Sequence, residues 1–266
     1  VTGHKEKSLA GVRVLVTRPA EQAHNLVQLI EAAGGIAIRF PTIKIEEPSN
    51  RSALIKQIDE LGRADIAIFV SANAVNKAMP LIASRYSPFP QQLQFACVGQ
   101  GTAVALERLG VRATLVPHER FDSDGLLDLP VLQDVRNKRI IIFRGEGGRE
   151  LLAQTLRSRG ADVQYAECYR RALPGNDVAP LLQRWAHGEI DVVTATSVGA
   201  LKNLFAIVGE AGHAPLLQTP IVVISQRVAA TCRQFGFVHG PYVASTASDE
   251  GMLDAIKAWR ASEKPV

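Results

Sequence analysis

The residues of this 266-residue chain best suited to chemistry are hydroxyls, glycines and arginines that directly follow short apolar runs. They fall into six groups: Thr17-Arg18-Pro19, Ser71-Ala72-Asn73, Gly99-Gln100-Gly101-Thr102, Arg144-Gly145-Glu146-Gly147-Gly148, Thr196-Ser197-Val198-Gly199 and Ser225-Gln226-Arg227. A turn leading from a strand into a helix presents backbone N–H groups and the positive end of the helix dipole, so each group suits a bound carboxylate or phosphate. Arg18, Ser71, Ala72, Asn73, Gly99, Thr102, Arg144, Gly145, Ser197, Ser225, Gln226 and Arg227 are the candidate substrate-binding residues. Each has a plainer use. Ser71 and Ser197 suit helix N-caps, and Arg18 and Arg144 suit ion pairs with surface acids.

Other chemistries are poorly represented. Gly99-x-Gly101 starts like a dinucleotide fingerprint, but Val104 stands at the third small position, so a nicotinamide cofactor is not indicated. The turn Gly145-Glu146-Gly147-Gly148 lacks the Lys-Ser/Thr of a phosphate-binding loop. His4, His24, His118, His187, His213 and His239 are scattered without ligand spacing, and no metal site is expected. Cys97, Cys168 and Cys232 form no C-x-x-C pair, so neither a zinc site nor a disulfide framework is indicated. No G-x-S-x-G elbow and no paired-carboxylate motif occurs.

The elements that must carry these groups come in two copies. Val12–Pro48 (VRVLVTRPAEQAHNLVQLIEAAGGIAIRFPTIKIEEP) and Lys138–Pro174 (KRIIIFRGEGGRELLAQTLRSRGADVQYAECYRRALP) share one design of strand, turn, helix, glycine stop and strand. Arg144, Gly160, Pro174, Asp191, Ser197, Gln226, Gly236 and Gly251 each lie 126 residues after a like residue: Arg18, Gly34, Pro48, Asp65, Ser71, Gln100, Gly110 and Gly125. A constant offset over so many turn positions marks a duplicated unit.

Continuous apolar runs such as VRVLV predict strands covered on both faces. The predicted strands are 12–16, 36–40, 66–70, 95–98 and 112–116 in the first copy, and 139–143, 163–166, 192–195, 221–224 and 242–244 in the second. Helices lie between them, among them one with Ser123 as its N-cap. The expected fold is α/β, with two similar doubly wound parallel sheets of flavodoxin-like or Rossmann-like type.

Pro41 and Pro48 bracket one extended segment and Pro174 closes its counterpart, so 42–48 and 168–174 are expected to be linkers between domains. One domain would then be discontinuous, 1–41 with 175–266, and the other would be 49–167. Contiguous halves cut near Asn137 are the alternative. Two such lobes presenting their strand-end rims to each other would form an anion-lined cleft. Tyr169 brings an aromatic hydroxyl into the second linker, where it either points into that cleft or packs between the lobes.

A net charge of +4 and a pI near 9.1 suit an acidic small molecule, while no dense Lys/Arg block points to nucleic acid. No apolar run approaches the roughly 20 residues of a membrane span. VTGHKEKSLAG lacks the apolar core of a signal peptide. A cytoplasmic setting and a monomeric state are the expectations.

VRVLVTRPA, FRGEGGREL, ECYRR, VVISQRVAATCRQFGF and SDEGMLDAI, in this order and at this spacing, resemble the uroporphyrinogen-III synthase family, its bacterial branch in particular. The resemblance covers nearly the whole chain. It implies a bilobed protein whose discontinuous domains are joined by a two-stranded ladder. The implied reaction converts hydroxymethylbilane, a linear tetrapyrrole with eight carboxylates, to uroporphyrinogen III, with ring D inverted, water lost, and no metal or organic cofactor. Handover from hydroxymethylbilane synthase is a further implication. The family's linker tyrosine maps to Tyr169, the candidate for assisting water loss. A family hydroxyl maps to Thr102, and strand-end serines map to Ser71 and Ser197. Val228 stands where some members carry threonine, which leaves Ser225 and Arg227 to take over anion contacts. A two-lobed module that binds a polyacidic tetrapyrrole without turning it over is the alternative.

Overall fold

In the computed structural model, residues 8–263 are described; the opening VTGHKEK segment with His4, and residues 264–266, lie outside them. The chain divides into two compact units, 1–44 with 172–266, and 45–171. Ten strands form two five-stranded sheets. They are β1 (Arg13–Val16), β2 (Ile36–Arg39), β3 (Lys44–Glu46), β4 (Ile66–Phe69), β5 (Gln94–Cys97), β6 (Arg139–Gly145), β7 (Asp162–Ala172), β8 (Val192–Ala195), β9 (Ile221–Val223) and β10 (Tyr242–Val243).

The first unit's sheet runs β10-β9-β8-β1-β2, with parallel pairing throughout. Its strands alternate between two cores because successive side chains point to opposite faces. Val14, Val16 and Val192 pack under Leu26, Ile30, Met252 and Trp259 on one face. Leu15, Val193 and Val223 meet Leu201, Leu204, Val228 and Cys232 on the other. Both faces are thus covered by helices, which is why these strands read as unbroken apolar runs.

The second unit's sheet runs β3-β7-β6-β4-β5. Phe69 and Phe143 stack on one face with ring centroids 4.7 Å apart, in the same core as Ala166 and Cys168. Ile66, Ile68, Ile140 and Val163 face Leu126, Leu152 and Leu156 on the other. The duplicated unit is therefore dealt across both sheets. β1 and β2 come from the first copy and join β8, β9 and β10 of the second; β4 and β5 of the first copy join β6 and β7 of the second. In each sheet one cross-copy pair, β1–β8 or β4–β6, lies in the interior, and the second sheet has another, β3–β7, at its edge.

Two expectations change. Residues 112–116 make only one isolated bridge, Ala96 to Leu115, so the second sheet takes β3 as its fifth strand. Asp122, not Ser123, caps the helix Ser123–Leu127, its side chain accepting from the Gly125 N–H at 2.8 Å. Residues 168–172, within the expected linker 168–174, are extended as the end of β7, and β3, within 42–48, pairs alongside them.

Candidate active site

In the second unit, the sheet geometry re-aims one tyrosine. β6 and β7 run in register from Arg139–Asp162 to Arg144–Glu167, and then Gly145 pairs with Tyr169. Cys168 is thus an extra residue, a bulge. Regular alternation would put Tyr169 on the face of Tyr165; the bulge turns it to the face of Ala166 and Cys168. A Cβ on Gly145 would lie 2.7 Å from the Tyr169 ring, so only glycine lets the ring lie across β6. The ring is buried, with 1% of the residue exposed.

Lying across β6, Tyr169 reaches the end of β4. Its hydroxyl is 3.1 Å from Ser71 Oγ and accepts a hydrogen bond of 3.1 Å from the Arg171 guanidinium. Ser71 also caps the helix Ala72–Ala83, accepting from the Ala74 N–H at 3.2 Å. Ala72 and Asn73 are the half-buried first residues of that helix. Tyr169, Ser71, Ala72, Asn73 and Gly145 are therefore brought together at the carboxyl ends of β4, β6 and β7. Sequence reasoning missed Arg171, although its position two residues after Tyr169 in the ECYRR run was signal enough, because residues i and i+2 of a strand share a side.

Gly99 begins the helix Gln100–Glu107 at the end of β5, next to β4, without a side-chain cap. Ser225 occupies the same place before the helix Gln226–Phe235 in the first unit, and its hydroxyl makes no cap either. Among the described residues, the N–H groups of Gln100, Gly101, Gln226 and Arg227 have no protein acceptor. Gln226 and Arg227 are exposed, whereas Thr102 is buried at 6%. Thr102 lies 126 residues before Val228, so its repeat partner is a buried valine.

The other candidates are occupied otherwise. Ser197 caps the helix that starts at Val198, accepting from the Ala200 N–H at 3.0 Å. Arg18 is bonded to Asp249, which also accepts from Asn25. Arg144 has only 8% of its side chain exposed and pairs with Glu150 at 2.9 Å and Glu167 at 3.4 Å. Its guanidinium lies 3.9 Å from the Tyr165 ring centroid. The Tyr165 hydroxyl donates to Glu150 at 2.7 Å, and with Arg144 it holds the Glu150 carboxyl below its ordinary range. Both arginines, expected at the binding rim, are thus paired with acids of their own unit, while the buried Nε of each has no hydrogen-bond partner among the described residues.

The two rims are not equivalent. The residue 126 positions before Tyr169 is Ile43, whose Cδ1 lies 3.9 Å from the place of a Cβ on Gly199, at the helix start that Ser197 caps. Thus a hydroxyl pair stands at Ser71 and an aliphatic side chain beside Ser197. The buried thiols offer no alternative nucleophile. Burial pushes Cys97 up to about 11 and Cys168 and Cys232 up to about 12, leaving almost no thiolate at neutral pH. A cavity of about 410 Å³ near β7 is walled by the Glu146 and Glu167 carboxylates, which disfavours an anionic ligand there.

A sequence profile of the family described as "Uroporphyrinogen-III synthase HemD" matches residues 24–254. The chain belongs to the uroporphyrinogen-III synthase family. The Escherichia coli K12 uroporphyrinogen-III synthase is 33% identical over 245 residues, covering 92% of this chain and 99% of that protein. The Salmonella typhimurium LT2 enzyme is 31% identical with the same coverage of both chains. A crystal structure of a mutant uroporphyrinogen III synthase from Thermus thermophilus shares the fold, with a TM-score of 0.63 and 19% identity over 96% of this chain and all of that one. The chain's function is that of a uroporphyrinogen-III synthase, a hydro-lyase of tetrapyrrole biosynthesis. Among the described residues, no helix is long and apolar enough to cross a membrane.

Proposed function

We propose that the protein closes hydroxymethylbilane to uroporphyrinogen III with inversion of ring D, and that Tyr169 assists the departure of the terminal hydroxyl as water. The observation that carries this reading is the Tyr169–Ser71–Arg171 constellation. It is a phenol placed by a bulge and a glycine, with a serine and a guanidinium on its oxygen. A proton delivered to the leaving hydroxyl turns hydroxide into water and leaves an azafulvenium cation. Ring D attacks this through its substituted α-carbon, and the resulting spiro intermediate fragments and recloses with the ring turned. General acid help of this kind is worth about 10²–10⁴-fold. The rest of the task is orientation, since an unguided chain closes without inversion.

The uncapped N-termini at Gly99 and Ser225 suit the substrate's carboxylates, because each offers two unpaired N–H groups and the helix dipole. Thr102, Gln226 and Arg227 stand at the same two ends and join that binding role. Arg18, Arg144 and Ser197 are proposed for the same binding role, each also engaged within its own unit. The deciding experiment feeds hydroxymethylbilane to the purified protein and separates the product isomers. Type III product without added metal or nucleotide is expected. Type I alone, at the rate seen without protein, would overturn the reading, and tight binding without any product would favour a non-catalytic module.

A further inference from the structure

Arg171 is the cation of the second unit's rim whose position the established activity leaves unexplained. Its guanidinium donates to the Tyr169 hydroxyl at 3.1 Å and lies 5.4 Å from that ring's centroid. The side chain is exposed, although the phenol it touches is buried. The adjacent Arg170 pairs with Glu46 at 2.5 Å, whereas no acid among the described residues pairs with Arg171. A cation that leaves carboxylates alone and donates instead to a phenol oxygen is placed for the state in which that oxygen is charged.

We infer that Arg171 is a positioning residue for the reaction: it holds the Tyr169 oxygen and stabilises the phenolate formed when Tyr169 gives up its proton. The inference rests on the proposed acid role of Tyr169. The proton balance is closed. The Tyr169 O–H proton passes to the departing hydroxyl, the C–O bond breaks, and water leaves. The phenolate left behind accepts from Arg171 and from the Ser71 hydroxyl, whose own oxygen accepts from the Ala74 N–H. Every member is then satisfied, as a buried anion requires. The free α-position of ring D loses one proton as that pyrrole regains aromaticity, and that proton restores the phenol.

The residue 126 positions before Arg171 is Ile45, as Ile43 stands for Tyr169, so the first copy carries isoleucines in place of both polar partners; Ile45 itself lies in the second unit, packed against the same core as Tyr169.

The test is a double-mutant cycle read by single-turnover and steady-state kinetics. Arg171→Gln should lower kcat by about 10- to 100-fold, the range for a hydrogen bond to a charged group, with KM changing far less. In a Tyr169→Phe background the same substitution should cost less than about 2-fold, since no phenolate forms there. Arg171→Lys should recover part of the loss, and it provides a second variant should Arg171→Gln fold poorly; melting temperatures of all variants report that. Equal losses in both backgrounds, or a rise in KM with kcat unchanged, would overturn the inference, making Arg171 a carboxylate contact or a structural residue. Failure of the acid role itself would look different, because Tyr169→Phe alone would then leave kcat unchanged.

Discussion

The residues at the end of β7 show how little side-chain chemistry the site needs and how much geometry. Tyr169→Phe keeps the ring and its packing but removes the proton. Turnover should fall by about 10²-fold or more with a small change in substrate affinity, measured as kcat and KM for type III product. An unchanged kcat would take Tyr169 out of the chemistry. Gly145→Ala should be as damaging by another route. The new Cβ, 2.7 Å from the Tyr169 ring, forces the phenol off Ser71 although no polar atom is lost. Activity should drop, and the melting temperature should fall with it, by the equivalent of about 1–3 kcal/mol of overpacking. Full activity in Gly145→Ala would mean that the ring position does not matter. Tyr169 stands out in the sequence as an aromatic hydroxyl in the second linker, but its environment is not legible there. A bulge is one extra residue in a pairing that only the partner strand defines, so nothing in ECYRR by itself says that Cys168 is the unpaired member. For the same reason the ion pairs of Arg18 and Arg144 were not legible: their partners Asp249, Glu150 and Glu167 are fixed by tertiary packing or helix start, not by spacing.

Among the elements, the two copies explain each other. Asp122 caps Gly125 and Ser248 caps Gly251, 126 residues on, with bonds of 2.8 and 3.0 Å. The Ser123 reading missed by one residue, and comparison with Ser248 in the other copy would have set the register. Both capped glycines are obligatory. A Cβ would stand 1.9 Å from the Arg120 carbonyl oxygen at Gly125, and 2.3 Å from that of Thr246 at Gly251. Strand starts are held in the same duplicated way. Asp191 accepts from the Arg13 N–H, Nε and guanidinium at 2.6 to 2.9 Å, and Asp65 accepts from the Arg139 N–H and Lys138 at 2.8 and 2.9 Å. Burial raises both carboxyls, but these hydrogen bonds outweigh it and leave each below its ordinary value. A carboxyl that titrates lower folded than unfolded contributes fully above the unfolded value near ~3.9, and the contribution disappears as pH falls through the folded value. Asp191→Asn should therefore cost about 1–2 kcal/mol at pH 7, and the gap from the unsubstituted protein should narrow steadily below about pH 4. A gap in urea midpoints that is unchanged at pH 3 would show that the carboxylate's charge is not what holds β1 to β8.

For the whole molecule, the duplication was legible because its offset survives at turn glycines and charged corners, which single-sequence reasoning reads well. The exchange of strands between copies was only suggested, by paired prolines. The fifth strand of the second sheet was misplaced, because 112–116 and 44–46 are both short extended runs and only pairing tells them apart. That exchange has a consequence for how the chain comes apart. A cut near Asn137 separates the copies but severs β1 from β8 and β4 from β6, pairs in the interior of both sheets. Each half would expose apolar central strands such as Ile66–Phe69 or Val192–Ala195 along unpaired edges. A fragment of residues 42–172 instead keeps β3 to β7 and both of the cores that cover them, and at about 130 residues it is large enough to bury a stable core. It should melt cooperatively and show a native-like far-UV spectrum, whereas 1–137 and 138–266 expressed alone should aggregate or stay unfolded. Mixing the two halves during refolding should restore structure, since each supplies the central strand the other lacks. A cooperative melt from 1–137 alone would show that the copies, rather than the interleaved sheets, are the folding units of this chain.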